Sequence, residues 1–278
     1  MTKSTVTSDW LWKNRAMPEL CILYTRMADI VSGDLESSEG RIILNAALFD
    51  FESDFVDLDS ELPHTMPSQK EFNRAAQGLG IHHNSVIVIY DSQGLYSSPR
   101  AWWMFKAMGH ENVFVLDGGL PSWIANGYPV SDKPAMPQLK GDFAAIPVEN
   151  AFVTAWQIQS VLGLQPDHVI IDARGAARFQ GTAPEPRSGL RSGHIPSSAN
   201  LPYQNVLDGG YLLGSNIIEA KLADSGATLN SHLYFSCGSG VTACIIALAA
   251  YSAGYPNLHV YDGSWTEWGG NPTLPIEL

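Results

Sequence analysis

The sequence carries one pattern twice. Ser85-Val86-Ile87-Val88-Ile89-Tyr90-Asp91 matches Ser231-His232-Leu233-Tyr234-Phe235-Ser236-Cys237, and Val113-Phe114-Val115-Leu116-Asp117-Gly118-Gly119 matches Leu258-His259-Val260-Tyr261-Asp262-Gly263-Ser264. Trp123 and Trp268 follow the second pair at the same distance, and Ile22-Leu23-Tyr24-Thr25-Arg26 resembles Ile170-Ile171-Asp172-Ala173-Arg174. The offset between partners is nearly constant, which chance similarity would not keep. A duplication confines the fold to two copies of one unit, and 278 residues suffice for two domains with a core each. The expected division is a first domain over 1–135, a linker over 136–150 and a second domain over 151–278. Pro134, Pro137 and Pro147, among scattered polar residues, mark the join.

Within each half, short β-branched or aromatic runs alternate with helical stretches over 99–108 and 241–251. That alternation predicts an α/β fold, each domain a mostly parallel central sheet flanked by helices. In such sheets ligands bind at the carboxyl ends of strands. Asp91 and Cys237 hold that position in the two halves, so the first half lacks whatever a thiol would do in the second.

Cys237 ends the run Leu233-Tyr234-Phe235-Ser236 and opens a loop, Gly238-Ser239-Gly240-Val241-Thr242, before the helical stretch that starts at Ala243. Backbone N–H groups and a helix N-terminus converge there, and both favour an anion, so this thiol is expected to ionise more readily than a free cysteine. It is the nucleophile candidate. A buried core cysteine would gain nothing from Gly-Ser-Gly behind it. Cys244 and Cys21 read as core, and three cysteines make no disulfide framework. His82-His83 have no partner at ligand spacing, so no metal is expected.

The net charge of -12 argues against nucleic acid and against an anionic membrane surface. Apolar content of 45% with 16% charged residues is that of a globular chain. No apolar run is long enough to span a bilayer, and residues 1–12 show neither an apolar core segment nor a cleavage site. A cytoplasmic location is the expectation.

The loop Cys237-Gly238-Ser239-Gly240-Val241-Thr242-Ala243 resembles the active-site loop of the rhodanese superfamily, in the form carried by its mercaptopyruvate sulfurtransferases. Asp172-Ala173-Arg174, Gly193-His194-Ile195-Pro196, Tyr261-Asp262-Gly263-Ser264-Trp265 and Glu267-Trp268 resemble the second domain of that family. Pro99-Arg100-Ala101-Trp102-Trp103 and Asp117-Gly118-Gly119 resemble the first. The chain departs from the family at Gly40-Arg41-Ile42-Ile43, where Gly-His-Ile-Pro is usual, and at Tyr24-Thr25-Arg26, where Asp-Ala-Arg is usual.

The resemblance implies two tandem rhodanese-like domains and transfer of a sulfane sulfur through a Cys237 persulfide, without a cofactor. The donor would be mercaptopyruvate, which leaves as pyruvate. The acceptor would be a thiol such as thioredoxin or glutathione, or cyanide. Arg178 and Arg187 would bind the donor's carboxylate and keto oxygen, with Arg191 nearby as a competing choice. Guanidinium forks suit a 2-oxo acid, whereas without the resemblance both would read as surface arginines. Amides of Gly238, Gly240, Val241 and Thr242 would cradle the sulfur anion. Ser239 would relay a proton, assisted by His64 and by an acid, Glu52 or Asp54, from the first domain. His64 reads equally as a turn residue capping its loop. His194, and the pair Asp172 and Arg174, would be scaffold.

Three rivals remain. A thiosulfate sulfurtransferase would typically carry basic residues in the loop, and Gly238 and Ser239 stand there instead. A cysteine phosphatase needs an arginine closing its loop, where this chain has Ala243. A non-enzymatic sulfur carrier or scaffold would not need Cys237 together with Arg178 and Arg187.

Overall fold

The computed structural model describes residues 4–27, 40–137 and 139–278. The first half contains β1 (Thr5–Val6), α1 (Ser8–Asn14), β2 (Leu20–Arg26), β3 (Ile42–Ile43), β4 (Ala47–Asp50), α2 (Gln69–Gly78), β5 (Val86–Tyr90), α3 (Ser98–Ala107), β6 (Val113–Leu116), α4 (Gly119–Ala125) and β7 (Val130–Ser131). The second contains β8 (Phe152–Val153), α5 (Ala155–Ser160), β9 (His168–Asp172), α6 (Ala176–Phe179), β10 (Ala199–Asn200), β11 (Leu207–Asp208), β12 (Tyr211–Leu212), α7 (Ser215–Asp224), β13 (His232–Ser236), α8 (Ala243–Ser252), β14 (Leu258–Tyr261) and α9 (Ser264–Gly270). Each half forms one parallel sheet, in the orders β1-β6-β5-β2-β4 and β8-β14-β13-β9-β10. The two orders are identical strand for strand, so the repeated sequence is a repeated fold.

The central strands β5 and β13 have parallel neighbours on both sides, and Ile87 to Tyr90 and Leu233 to Ser236 are buried. A strand covered on both faces reads as a continuous apolar run, which is why these two segments stood out. Each is followed by a loop and a helix, α3 or α8. Those helices pack against each other across the boundary. Ala243 through Ala250 are all buried, as expected of a helix that is apolar all round. One core runs from Phe49 and Trp102 of the first half into Ile246 and Leu248 of the second, and the outer face of each sheet has a smaller core of its own.

The stretch after β7 is not a free tether. Gly141 N donates to Gln77 O, Phe143 N to Ile81 O, Ile146 N to Met108 O and Val148 N to Ala107 O. The Phe143 ring is buried against Phe72, Phe105 and His110. A Cβ on Gly141 would stand 1.8 Å from the Ile81 oxygen, so only glycine lets the chain lie this close. Proline-rich composition suggested a spacer; tertiary hydrogen bonds and one buried ring make it a strap on the first domain.

The halves also exchange contacts in matched pairs. Asp117 Oδ1 accepts Leu212 N at 2.9 Å, and Asp262 Oδ2 accepts Met66 N at 2.9 Å. Each Asp-Gly turn therefore binds an amide of the other half.

Candidate active site

Cys237 follows the central strand β13 and is 2% exposed, at the floor of a cleft of about 340 Å³. Both halves line this cleft. Met27, His64 and Tyr96 come from the first, and Arg174, Arg178, Tyr203 and loop residues 237–239, 241 and 242 from the second. A larger cavity of about 440 Å³ lies in the first half around Trp12, Cys21 and Met136, and it contains none of the expected residues.

The loop is held by its outward carbonyls. Cys237 O accepts Trp265 N, and Gly238 O accepts both Thr266 N and Thr266 Oγ1. Those donors open α9, so the loop satisfies amides that a helix start would leave orphaned. Gly240 O accepts Arg100 Nη1 at 3.3 Å and the Cys244 thiol at 3.2 Å. In a planar trans peptide the next N–H points opposite the carbonyl. The Gly238, Ser239 and Val241 amides are thus turned away from these anchors, toward the concave side. Among the described residues the N–H groups of 238–242 donate to no protein acceptor, as a loop built to receive an anion requires. Ser264, at φ 48, takes the Cys237 N–H on its hydroxyl.

The first half shows what such a loop does with an anion. One Asp91 carboxylate oxygen accepts Tyr96 N at 2.8 Å, Ser97 N at 3.0 Å, Ser98 N at 2.9 Å and the Ser98 hydroxyl, and the other accepts Gln93 N. Its own side chain fills the bowl.

Two guanidiniums face the Cys237 loop. A Cβ on Gly238 would lie 3.4 Å from Arg178 Nη2 and 3.9 Å from Arg187 Nη1. They are not equivalent. Arg178 is forked onto the Glu185 carboxylate, which also takes Arg174 Nη1 at 2.8 Å, and Arg174 is clamped by Asp172 and Gly193 O. This chain of ion pairs aims Arg178. Arg187 has no carboxylate partner among the described residues. Burial, opposed by Cys237 and reinforced by Arg178, holds its guanidinium below the usual arginine range. Arg191 is spent elsewhere, donating to the carbonyls of Trp268, Gly269, Asn271 and Leu274.

Cys237, Ser239, His64, Arg178, Arg187, Gly238, Val241 and Thr242 are therefore brought together. Two expected residues are not. Gly240 faces the rear, at φ +75 against Arg100 and Asp262. Glu52 is exposed beyond Phe51 and lies outside the cleft, and Asp54 is exposed as well. The acid beside His64 is instead Asp262, which pulls against the positive neighbours of the ring. In the sequence Asp262 and Arg100 stand out only as parts of motifs. A charge set directly before the apolar run Ala101-Trp102-Trp103-Met104-Phe105 was the signal for Arg100. His194 Nδ1 donates to Phe179 O at 2.8 Å, and its ring stacks on that of Phe179 at 3.8 Å, behind the loop. Cys244 is fully buried, and burial pushes its thiol up to about 12; burial raises Cys21 too.

Burial, then Arg100 and Arg187, lower His64 from 6.5 to about 4. The imidazole is therefore neutral at physiological pH, suited to accepting a proton or hydrogen bond and not to acting as a standing acid. The unfolded chain protonates this ring first as pH falls. Stability linked to it is complete above about 6.5 and is lost progressively toward about 4. An NMR titration of the His64 ring should show a midpoint near 4. A midpoint between 6 and 7 would mean a solvated ring (about the unperturbed value).

Among the described residues, no helix is long and apolar enough to cross a membrane, and no group of three or more His, Cys, Asp or Glu could hold a metal.

The model of the rhodanese-like domain matches residues 34–126 and 159–271. The 3-mercaptopyruvate sulfurtransferase of Escherichia coli K12 is 36% identical over 98% of this chain and 97% of its own. The mitochondrial thiosulfate/3-mercaptopyruvate sulfurtransferase 1 of Arabidopsis thaliana is 37% identical, over 99% of this chain and 78% of its own. The crystal structure of SseA from Escherichia coli, a 3-mercaptopyruvate enzyme, superposes with a TM-score of 0.84 at 32% identity. It covers 95% of this chain and 99% of that one.

Proposed function

The chain belongs to the rhodanese-like family, and from that premise we propose that it is a 3-mercaptopyruvate sulfurtransferase with Cys237 as the sulfur carrier. The observation that carries this reading is the meeting, over one thiol, of unsatisfied loop amides from one side and the Arg187 guanidinium from the other. A thiolate that becomes a persulfide anion needs the first. A substrate with a carboxylate beside a ketone needs the second.

The Cys237 thiolate attacks the donor sulfur, and the carbon–sulfur bond breaks. Its electron pair goes to the enolate of pyruvate, which takes up a proton and leaves. Amides of residues 238, 239 and 241 stabilise negative charge on the new persulfide. Arg187 and Arg178 hold the carboxylate and keto oxygen, and developing enolate charge falls on that keto oxygen. Ser239 and neutral His64 border the same space and are the groups able to pass the proton. An acceptor thiolate then attacks the outer sulfur and restores the Cys237 thiolate. Thioredoxin, glutathione and cyanide are the acceptors we propose. All three cysteines are free, which suits a reducing compartment, and we place the reaction in the cytosol.

Steady-state comparison of donors tests the reading, with pyruvate release and thiocyanate formation followed in parallel. Mercaptopyruvate should give the higher kcat/KM. A much higher value with thiosulfate would make this a thiosulfate sulfurtransferase, and a lack of turnover on both would leave a sulfur-binding module. Arg187→Gly should mainly raise KM for mercaptopyruvate. Loss of one charge-assisted hydrogen-bond pair costs about 1.5–3 kcal/mol. An unchanged KM would remove Arg187 from the substrate shell.

A further inference from the structure

The Asp-Gly turns meet the opposite half in matched contacts, and Arg100 breaks the match. Arg100, third in α3, has as its counterpart Ile245, third in α8. Arg100 is 0% exposed. Its Nη2 donates to Asp262 Oδ1 at 2.6 Å and to His64 O at 2.7 Å, and its Nη1 to Gly240 O. Its Cζ lies 4.5 Å from the centre of the Phe152 ring, and its Nε has no acceptor among the described residues. A desolvated cation with an unsatisfied donor is costly where an isoleucine serves the other half. The cost falls on the side of the duplication that has no nucleophile, yet the cation's partners are the His64 turn, which lines the cleft, the rear of the Cys237 loop and Asp262 beside them.

We propose that Arg100 is a positioning residue for sulfur transfer. Through the Gly240 carbonyl it orients the peptide whose other end is the Val241 N–H, one of the amides facing the Cys237 sulfur. Through the His64 carbonyl and Asp262 it clamps the His64 turn against that loop. His64 sits at φ 59, a region few non-glycine residues adopt, and its backbone presents the carbonyl to Nη2. Close contact leaves no slack, since a Cβ on Gly240 would stand 3.0 Å from Nη1. The silent half thus holds the reactive loop of the active half in its working shape. This inference rests on Cys237 being the sulfur carrier.

Arg100→Met and Arg100→Lys separate positioning from mere stability. The control is Asp117→Asn, which disturbs the mirror-image contact to Leu212 and touches nothing in the cleft. We expect Arg100→Met to lower kcat for pyruvate release on the order of 10²-fold, the loss typical of a single oxyanion donor, with KM moved by less than about threefold. Arg100→Lys should recover part of kcat, and Asp117→Asn should keep all of it even if its Tm falls. Alkylation of Cys237 by iodoacetamide, read by mass spectrometry as a time profile at fixed pH, is independent of substrate. It should slow in Arg100→Met, because fewer oriented amides face the sulfur. The proposal is overturned if a folded Arg100→Met keeps kcat within about twofold of the parent or keeps the parent alkylation profile. If that variant does not fold, Arg100→Gln replaces it under the same criteria. A parent enzyme that released no pyruvate would sink the sulfurtransferase reading, while the alkylation profiles would still decide the role of Arg100.

Discussion

Cys237→Ser releases no pyruvate from mercaptopyruvate and takes up no sulfur atom on mass spectrometry. A hydroxyl cannot carry the outer sulfur as a persulfide, and it is a far weaker nucleophile near neutral pH. The change is nearly isosteric at a position 2% exposed, so stability should shift by about 1 kcal/mol or less, within the range of mild core substitutions. The result is clean because no other thiol can stand in. Burial holds Cys244 near 12 and raises Cys21 above its ordinary range, so neither offers an appreciable thiolate. Sulfur uptake persisting in this variant would mean that another group carries it, and the site would have to be sought again.

Gly240→Ala is the second large effect, and it acts without removing a single catalytic group. Gly240 holds φ +75, and a Cβ there would stand 2.9 Å from the Asp262 backbone oxygen and 3.0 Å from Arg100 Nη1. An L-residue in this conformation costs roughly 1–2 kcal/mol before any collision is counted. Both neighbours are fixed, Asp262 by the turn into α9 and Arg100 by complete burial, so the loop itself must give. A displacement of an ångström in a reacting group can cost on the order of 10²-fold in rate. The expected outcome is therefore a folded protein with kcat down by about that factor and KM nearly unchanged, since Arg178 and Arg187 approach from the opposite side. A variant with parental kcat would show that the loop tolerates the shift and that its amide geometry is not limiting.

Much of this was legible in the residues. The duplication, the parallel sheets and the position of Cys237 followed from short apolar runs at a nearly constant offset, because strands buried on both faces leave that mark wherever they occur. Arg178 and Arg187 became candidates for holding the substrate only through family resemblance; composition alone makes them surface residues. Glu52 lies away from the cleft, and the residue order could not show it. It sits in a turn after Phe51, where nothing in the residue order says which way the next carboxylate points. Arg191 shows the converse, an arginine at a plausible spacing whose donors all cap carbonyls near the C-terminal end of the chain.

What the sequence by itself determined is the repeated unit, the identity of the thiol and the glycine-bearing loop behind it, since all three depend on neighbours along the chain. Tertiary structure alone decided which acid stands beside His64, which guanidinium is left unpaired and what orients the loop. Asp262 and Arg100 are 162 positions apart, and their pairing exists only because α3 and α8 pack across the seam of the duplication. Contacts made by closing two halves on each other carry no local periodicity, so they are set by the packing of the halves and not by the order of residues within either.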